Sequence, residues 1–218
     1  MNSMARSKTS VAEPAGGKRV LDVGSGGQAS SKLHKIFQGW RCLRLDIDER
    51  VKPDIVGSIV DMKRKVSDRS YDAIWSSHNL EHLYPHEVKP ALTEFSRVLK
   101  PTGFALITCP DLTQIAEQML KQDVEKPAYV SPAGPISALD MLYGHSASLA
   151  RGNLYMAHHT GFTASRIGPL ILQAGFAEAW IASGKSYDLW AVALLKGTDR
   201  GEVRKLLSAT DQKFLIPQ

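Results

Sequence analysis

The apolar positions of this chain fall into short runs separated by polar turns, the rhythm of buried strands alternating with helices. Val20, Leu21 and Val23 form the first run, with Asp22 set inside it, and three glycines in four residues (Gly24, Gly26, Gly27) end it abruptly. A short run with β-branched residues predicts a strand covered on both faces. Beyond the turn, Ala29, Leu33, Ile36 and Phe37 recur at helical spacing, and Gly39 offers a left-handed cap. Arg41–Asp46 predicts a second strand ending in an acid, and Pro53–Ser58 a short third. Ser70–Ser77 predicts a fourth, leading into Ser76-Ser77-His78-Asn79 at its carboxyl end. His86–Leu99 carries the stripe Val88, Leu92, Phe95, Leu99 of an amphipathic helix, which Pro90 must kink or delay. Lys100-Pro101-Thr102-Gly103 reads as a stop, Phe104–Cys109 as a fifth strand, and Asp111 with Gln114 as a start like a capping box for a helix with Leu112, Ile115 and Met119 on its apolar face.

From Asp123 to Gly161 the periodicity breaks, with Pro127, Pro132, Gly134, Pro135, Gly144 and Gly152 as breakers. A long irregular segment inside a compact domain predicts a lid or binding loop, and this one holds Asp140, Tyr143, His145, Arg151, Asn153, Tyr155, His158 and His159. Thr163 caps a last core helix with Ile167, Leu170 and Ile171, stopped by Gly175. Phe176–Ser183 and Tyr187–Leu195 flank Gly184-Lys185-Ser186, a hairpin whose strands must be antiparallel. Val203, Leu206 and Leu207 then sit at helical spacing in a tail that packs on the domain or on a second subunit. The expected organisation is a loose tail over 1–17, one domain over 18–197 with a lid-like insert at about 123–161, and a helical tail over 198–218, as a monomer or homodimer.

Composition changes this picture little. An apolar content of 43% and a charged content of 22% are those of an ordinary globular domain. No apolar run approaches the ~20 residues that span a bilayer, so no membrane is expected. The two cysteines, Cys42 and Cys109, lie in apolar runs, read as small buried residues, and point to a reducing cytoplasm. The net charge of +5 has no basic stripe interleaved with aromatics behind it, which argues against a nucleic-acid partner.

The candidate chemistry sits at the strand ends. Strand, glycine turn and helix form the first half of a nucleotide-binding unit, whose ligand lies at the carboxyl end of the strand. Gly24, Ser25 and Gly26 offer bare backbone to it. A carboxylate at Asp22 would repel a diphosphate and suits a ligand carrying positive charge. Asp46, about twenty residues after the turn and followed by Ile47, stands where such folds place the acid that holds ribose hydroxyls, while Asp48 reads as a surface acid. Leu21-Asp22-Val23-Gly24-Ser25-Gly26-Gly27 resembles motif I (D/E-x-G-x-G) of the class I S-adenosylmethionine-dependent methyltransferases. Tyr71-Asp72-Ala73-Ile74 followed by Glu81-His82-Leu83 resembles motif IV and the Glu-His-Leu subset of that family, and Arg97–Asp111 looks like the segment before and through its fifth strand, with Thr102 in place of a glycine.

The resemblance implies an α/β Rossmann-like, doubly wound seven-stranded sheet, mostly parallel with one antiparallel strand near the edge. It implies S-adenosyl-L-methionine as cofactor, bound by Asp22, the Gly24–Gly26 turn, Asp46, Ile47, Ser77 and His78, with helix N-terminal amides at its carboxylate. The adenine falls to Ser58, to Asp61 or to neither, Asp61 being preferred. His78 and His159 are the candidate general bases by residue type, and His82 reads as a structural hydrogen-bonder. No metal is expected, since His158 and His159 are sequence neighbours whose side chains diverge. The acceptor is expected to be a small metabolite or sugar-like molecule. A nicotinamide-dependent oxidoreductase and a non-catalytic binding module on the same fold are the alternatives.

Overall fold

A computed structural model describes residues 17–27 and 33–218 of the chain. The tail up to residue 16 and Ala29 of the first expected helix lie outside the described residues. In chain order the elements are strands β1 (Arg19–Val23), β2 (Arg41–Asp46), β3 (Ile55–Val56) and β4 (Tyr71–Ser77), helix α1 (Val88–Val98), strand β5 (Leu99–Pro110) and helix α2 (Leu112–Lys121). A small hairpin, β6 (Pro127–Ser131) and β7 (Gly134–Ser137), follows, then helices α3 (Ala138–Tyr143), α4 (Ser146–Ala150) and α5 (Ala164–Gln173). Strands β8 (Glu178–Ser183) and β9 (Asp188–Leu194) and helix α6 (Arg200–Ser208) complete the chain.

Seven strands form one sheet in the order β3-β2-β1-β4-β5-β9-β8. Neighbours from β3 to β5 are parallel, and β9 alone runs against the rest, one strand from the edge. The strand patterning explains why both faces are covered. Leu21, Val23, Ile74 and Ile107 point to the side packed by Leu92 and Phe95 of α1 and Ile167 and Ile171 of α5. Their neighbours Val20, Trp75, Leu106 and Val192 point to the other side, against Phe37, Val203 and Leu207 of α6, and Leu215. The C-terminal tail therefore packs on its own domain.

Several boundaries depart from expectation for local reasons. Among the described residues the helix after the glycine turn is a single 3-10 turn, Lys35–Phe37, with Gly39 at φ 82° behind it. The third strand keeps only Ile55–Val56 of Pro53–Ser58. Helix α1 starts at Val88, which puts Pro90 in the first turn, where a missing N–H breaks no helical bond. Helix α1 does stop before Lys100–Gly103, at Val98, and that segment then belongs to β5, which pairs from Leu99, with a register irregularity between Tyr71 and Ala73. Asp111 does cap α2 by accepting the Thr113 N–H, yet Gln114 turns away from it: its amide donates to Gly184 O at 2.9 Å and accepts the Tyr187 N–H at 3.1 Å, pinning the β8–β9 turn. Thr163 leaves its helix without a side-chain cap, its hydroxyl meeting that of Ser165. Cys109 is buried, whereas Cys42 is only half-buried. Burial pushes both thiols up, Cys42 to about 11, so neither is a thiolate near neutral pH.

The insert is more ordered than its composition suggests. Ile136, Ala138 and Met141 form a small core with Ile115 of α2, and Ser137 with Asp140 makes a full capping box for α3. Elsewhere a buried acid ties loop to helix. Glu94 of α1 accepts the Met62 N–H at 2.7 Å and pairs with Arg97 at 2.7 Å, and Arg97 reaches Val66 O and Asp68. Burial works to raise the Glu94 carboxyl, but the Arg97 hydrogen bonds, the Met62 N–H and the Arg97 charge outweigh it and hold it below its ordinary value. Arg97→Ala should lower stability by about 3 kcal/mol at neutral pH, because it strands a buried carboxylate. A carboxyl depressed in the folded state stabilises fully above its unfolded pKa and loses that contribution as pH falls through the folded value. Urea denaturation from neutral to acid pH should therefore show the wild type and Arg97→Ala converging.

Candidate functional site

The site is built where β1 and β2 end. Val23 leads into Gly24 and Gly26, whose φ values of 64° and 62° lie in the left-handed region. The turn is held from β2: Gly24 and Ser25 donate to Leu45 O at 2.8 and 3.3 Å, and Gly26 donates to Asp46 Oδ2 at 2.8 Å. The other Asp46 oxygen accepts the Asp48 N–H at 2.9 Å. A carboxylate oxygen has the capacity for a second such bond. Asp48 in turn caps the 3-10 turn Glu49–Val51 and pairs with Arg50 at 2.8 Å. Beyond β4 the chain passes through His78 at φ 48°, a left-handed residue that is not glycine.

These ends enclose a cavity of about 410 Å³, within the usual range for small-molecule sites. Asp22, Gly24, Ser25 and Gly26 line it from β1, Asp46, Ile47 and Asp48 from β2, Ser58 from beyond β3, and Ser77, His78 and Asn79 from β4. His159 also lines it, beside Asn153, Leu154, Tyr155 and Met156 of the insert. Asp61 is not among the lining residues. It is exposed, and its carboxylate accepts the Lys63 N–H at 3.2 Å, because the chain buries Ile59 toward the cavity and Asp61 falls outside. Ser58 accepts the Val60 N–H at 3.2 Å within the same turn. Ser76 is fully buried below the floor.

Three aspartates line the cavity, and no lysine or arginine does so among the described residues. Asn79 contributes a buried amide nitrogen, and Asn153 a buried amide oxygen, that have no hydrogen-bond partner among the described residues, so each can serve a polar ligand. On the insert side Tyr155 lies 6.0 Å from the Arg50 guanidinium across the mouth. His159 stacks on Tyr84 at 4.2 Å.

Behind this wall lies a cluster that sequence reasoning missed. Glu81 is fully buried, with His78 Nδ1 3.3 Å from its Oε1. His82 and His158 stand edge to face at 4.9 Å, and Glu81, His82 and His158 each bring a ligand-type atom within 4.8 Å of the others. The expectation of no metal rested on His158 beside His159; the fold instead sets His158 against Glu81 and His82, so that argument does not hold. Burial works to raise the Glu81 carboxyl, but the contact with His78 and the influence of His78, His82 and His158 hold it below its ordinary value, while burial lowers His158. His82 does act as a structural hydrogen-bonder, its Nδ1 donating to Ala157 O at 3.0 Å, and it lines the cavity as well.

Residues 21–107 match a family described as a methyltransferase domain. The sheet order and its single reversed strand agree with solved structures of that kind. Residues 21–107 are thus those of a methyltransferase domain, on a fold shared with S-adenosylmethionine-dependent methyltransferases. A SAM-dependent methyltransferase from Archaeoglobus fulgidus is 15% identical, with 82% of this chain and 86% of that one covered at a TM-score of 0.51. A possible histamine N-methyltransferase from Thermotoga maritima is 14% identical over 83% of each chain at 0.52. The 1,6-didemethyltoxoflavin-N1-methyltransferase of Burkholderia thailandensis, solved with its substrate and S-adenosylhomocysteine, is 15% identical over 84% of this chain and 72% of its own at 0.50. At these identities the likeness is one of fold. No curated protein matches the sequence.

The cavity suits S-adenosylmethionine on its own terms: its three carboxylates would favour a sulfonium and an ammonium, and a phosphate-free nucleoside needs no basic residue. Gly24 is required for two reasons: its φ, and the Asn79 side chain, into which an added Cβ would collide. Gly24→Ala should cost about 1–2 kcal/mol. Thermal unfolding should show part of that loss recovered when Asn79→Ala removes the collision, since only the backbone strain then remains.

Proposed function

We propose that this enzyme transfers a methyl group from S-adenosylmethionine to a small, polar, sugar-like acceptor held between the strand ends and the insert. The single observation behind this reading is the charge of the cavity: Asp22, Asp46 and Asp48 line it, only Asp48 of them paired with an arginine in the ion pairs described, and no lysine or arginine lines it among the described residues, beside exposed glycine backbone. A dinucleotide would bring a diphosphate into that field, which argues against the nicotinamide alternative.

When bound, S-adenosylmethionine supplies a methyl group already activated on a sulfonium, so the protein's work is alignment and exclusion of water. In this reading Asp46 holds the ribose hydroxyls with its remaining lone pairs. Asp22 faces the positive methionyl end, and the Gly24–Gly26 backbone lies along it. Asp61 is withdrawn from the adenine role because it stands outside the cavity; Ser58 and Ile59 line that end instead. The insert over 123–161 acts as the lid, with Tyr155 meeting Arg50 across the mouth. His78 is engaged with Glu81, so His159, on the cavity wall and steadied by Tyr84, is the better placed general base.

Thermal unfolding with S-adenosylhomocysteine and, separately, with NAD tests the donor. Saturation about 100-fold above Kd should stabilise the wild type by about 2.7 kcal/mol with the homocysteine compound only. Asp46→Ala should weaken that binding at least about tenfold, the loss of a charge-assisted pair of hydrogen bonds. Stabilisation by NAD alone would overturn the reading, and an unchanged affinity in Asp46→Ala would remove Asp46 from the ribose. Transfer of labelled methyl across a panel of sugars and small hydroxylated or amino metabolites then identifies the acceptor, with no transfer to any fraction of cell extract pointing to a binding module.

A further inference from the structure

We propose that Glu81, His82 and His158 bind one divalent transition-metal ion at the edge of the donor cavity. A potential ligand atom from each lies within 4.8 Å of the other two. The carboxylate carries the argument. The Glu81 side chain is 1% exposed, and among the described residues neither of its oxygens accepts a well-formed hydrogen bond. A buried carboxylate is costly unless a cation or a set of donors meets it. The contact on offer is His78 Nδ1, 3.3 Å from Oε1, on a side chain that is 48% exposed; that leaves the second oxygen unmet.

The two histidines are arranged as ligands. His82 Nδ1 lies 3.0 Å from Ala157 O, and His158 Nδ1 lies 2.9 Å from Met141 O. A carbonyl oxygen only accepts, so each Nδ1 carries the ring proton and each neutral ring keeps its lone pair on Nε2. A neutral ring so arranged has no proton on Nε2 to give Glu81 and offers there the lone pair that a metal takes, and a backbone carbonyl on the far nitrogen is the usual outer partner of a metal-bound imidazole. With bonds of about 2.1 Å, two ligand atoms on one ion stand about 3.4 Å apart, so the spread seen here closes by small side-chain rotations. Two imidazole nitrogens and one carboxylate oxygen suit zinc, cobalt, manganese or iron(II), not the all-oxygen preference of magnesium or calcium.

The site has a use. His82 lines the cavity next to His78, so an open coordination position on the ion reaches the space where an acceptor would lie. An ion there holds an acceptor hydroxyl and lowers its pKa. That use rests on the methyl-transfer reading above; the binding of the ion does not.

The full chain, stripped with EDTA, is titrated with Co²⁺ and followed by visible absorption and calorimetry, then challenged with Zn²⁺. One Co²⁺ per chain is expected, with the absorption of nitrogen and oxygen ligation, displaced by Zn²⁺. Glu81→Gln and His158→Gln should each weaken binding by about 100-fold with unchanged circular dichroism, while the surface change His86→Gln should leave it intact. If Glu81→Gln does not fold, His82→Gln and His158→Gln decide. No binding to the stripped wild type at millimolar Co²⁺, or binding that survives these variants, overturns the site and leaves Glu81 with its His78 contact alone. The S-adenosylhomocysteine shift, measured on the wild type in EDTA, is read separately: its loss with Co²⁺ binding intact sinks the donor reading and keeps the metal site.

Discussion

The hydrogen bond from the Gly26 N–H to the Asp46 carboxylate, 2.8 Å long, fixes the donor end of this enzyme. A turn built from left-handed residues has no ladder partner of its own, so its N–H groups need acceptors from elsewhere. The end of β2 supplies them, through Leu45 O for Gly24 and Ser25 and through Asp46 for Gly26. The same carboxylate, by its second oxygen, orders the Asp48 N–H and so starts the turn that carries Asp48 and Arg50. One side chain thereby sets two walls of the cavity and places negative charge along both. The parallel pairing of β1 with β2, residue for residue from Arg19 with Arg41 to Val23 with Leu45, makes that meeting possible.

Much of this was legible in the sequence because the relevant signals are local. Apolar runs bounded by glycines and acids place all five parallel strands and set β1, β2 and β4 near their true limits, with β3 shorter and β5 longer than expected, since a strand buried on both faces has few other patterns open to it. The Asp22 and Asp46 pair and the glycine turn were readable for the same reason: each sits at the end of such a run. What failed was chemistry decided by tertiary contact. Gln114 has the spacing of a capping box, yet the β8–β9 turn competes for its amide and wins. Asp61 has the right residue type one turn too late, because the cavity is met by Ile59. Breakers over 123–161 suggested an irregular loop, but α2 offers Ile115 as a core on which a hairpin and short helices can order.

The Glu81 cluster was the least legible. Glu-His-Leu reads as a local motif, and a histidine beside it reads as a structural hydrogen-bonder. Its third member, His158, arrives from the far end of the insert, and no spacing rule connects the two. Only the fold shows that a fully buried carboxylate has gathered imidazoles around it.

That gathering also explains how the insert is attached. The His159 N–H donates to Glu81 O at 2.8 Å, His82 Nδ1 donates to Ala157 O, and His158 Nδ1 donates to Met141 O. The first two join the insert to the loop after β4, and the third ties the end of the insert back to α3. The end of β4 and the loop after it therefore line the cavity with Ser77, His78 and Asn79 and grip the insert with Glu81 and His82. The glycine-turn side of the cavity comes from the sheet, whereas Asn153, Tyr155 and His159 on its wall, the acceptor side in the proposed reading, belong to the insert. Changes in the insert can thus retune the acceptor without disturbing the glycine turn, provided the anchors to Glu81 and His82 are kept.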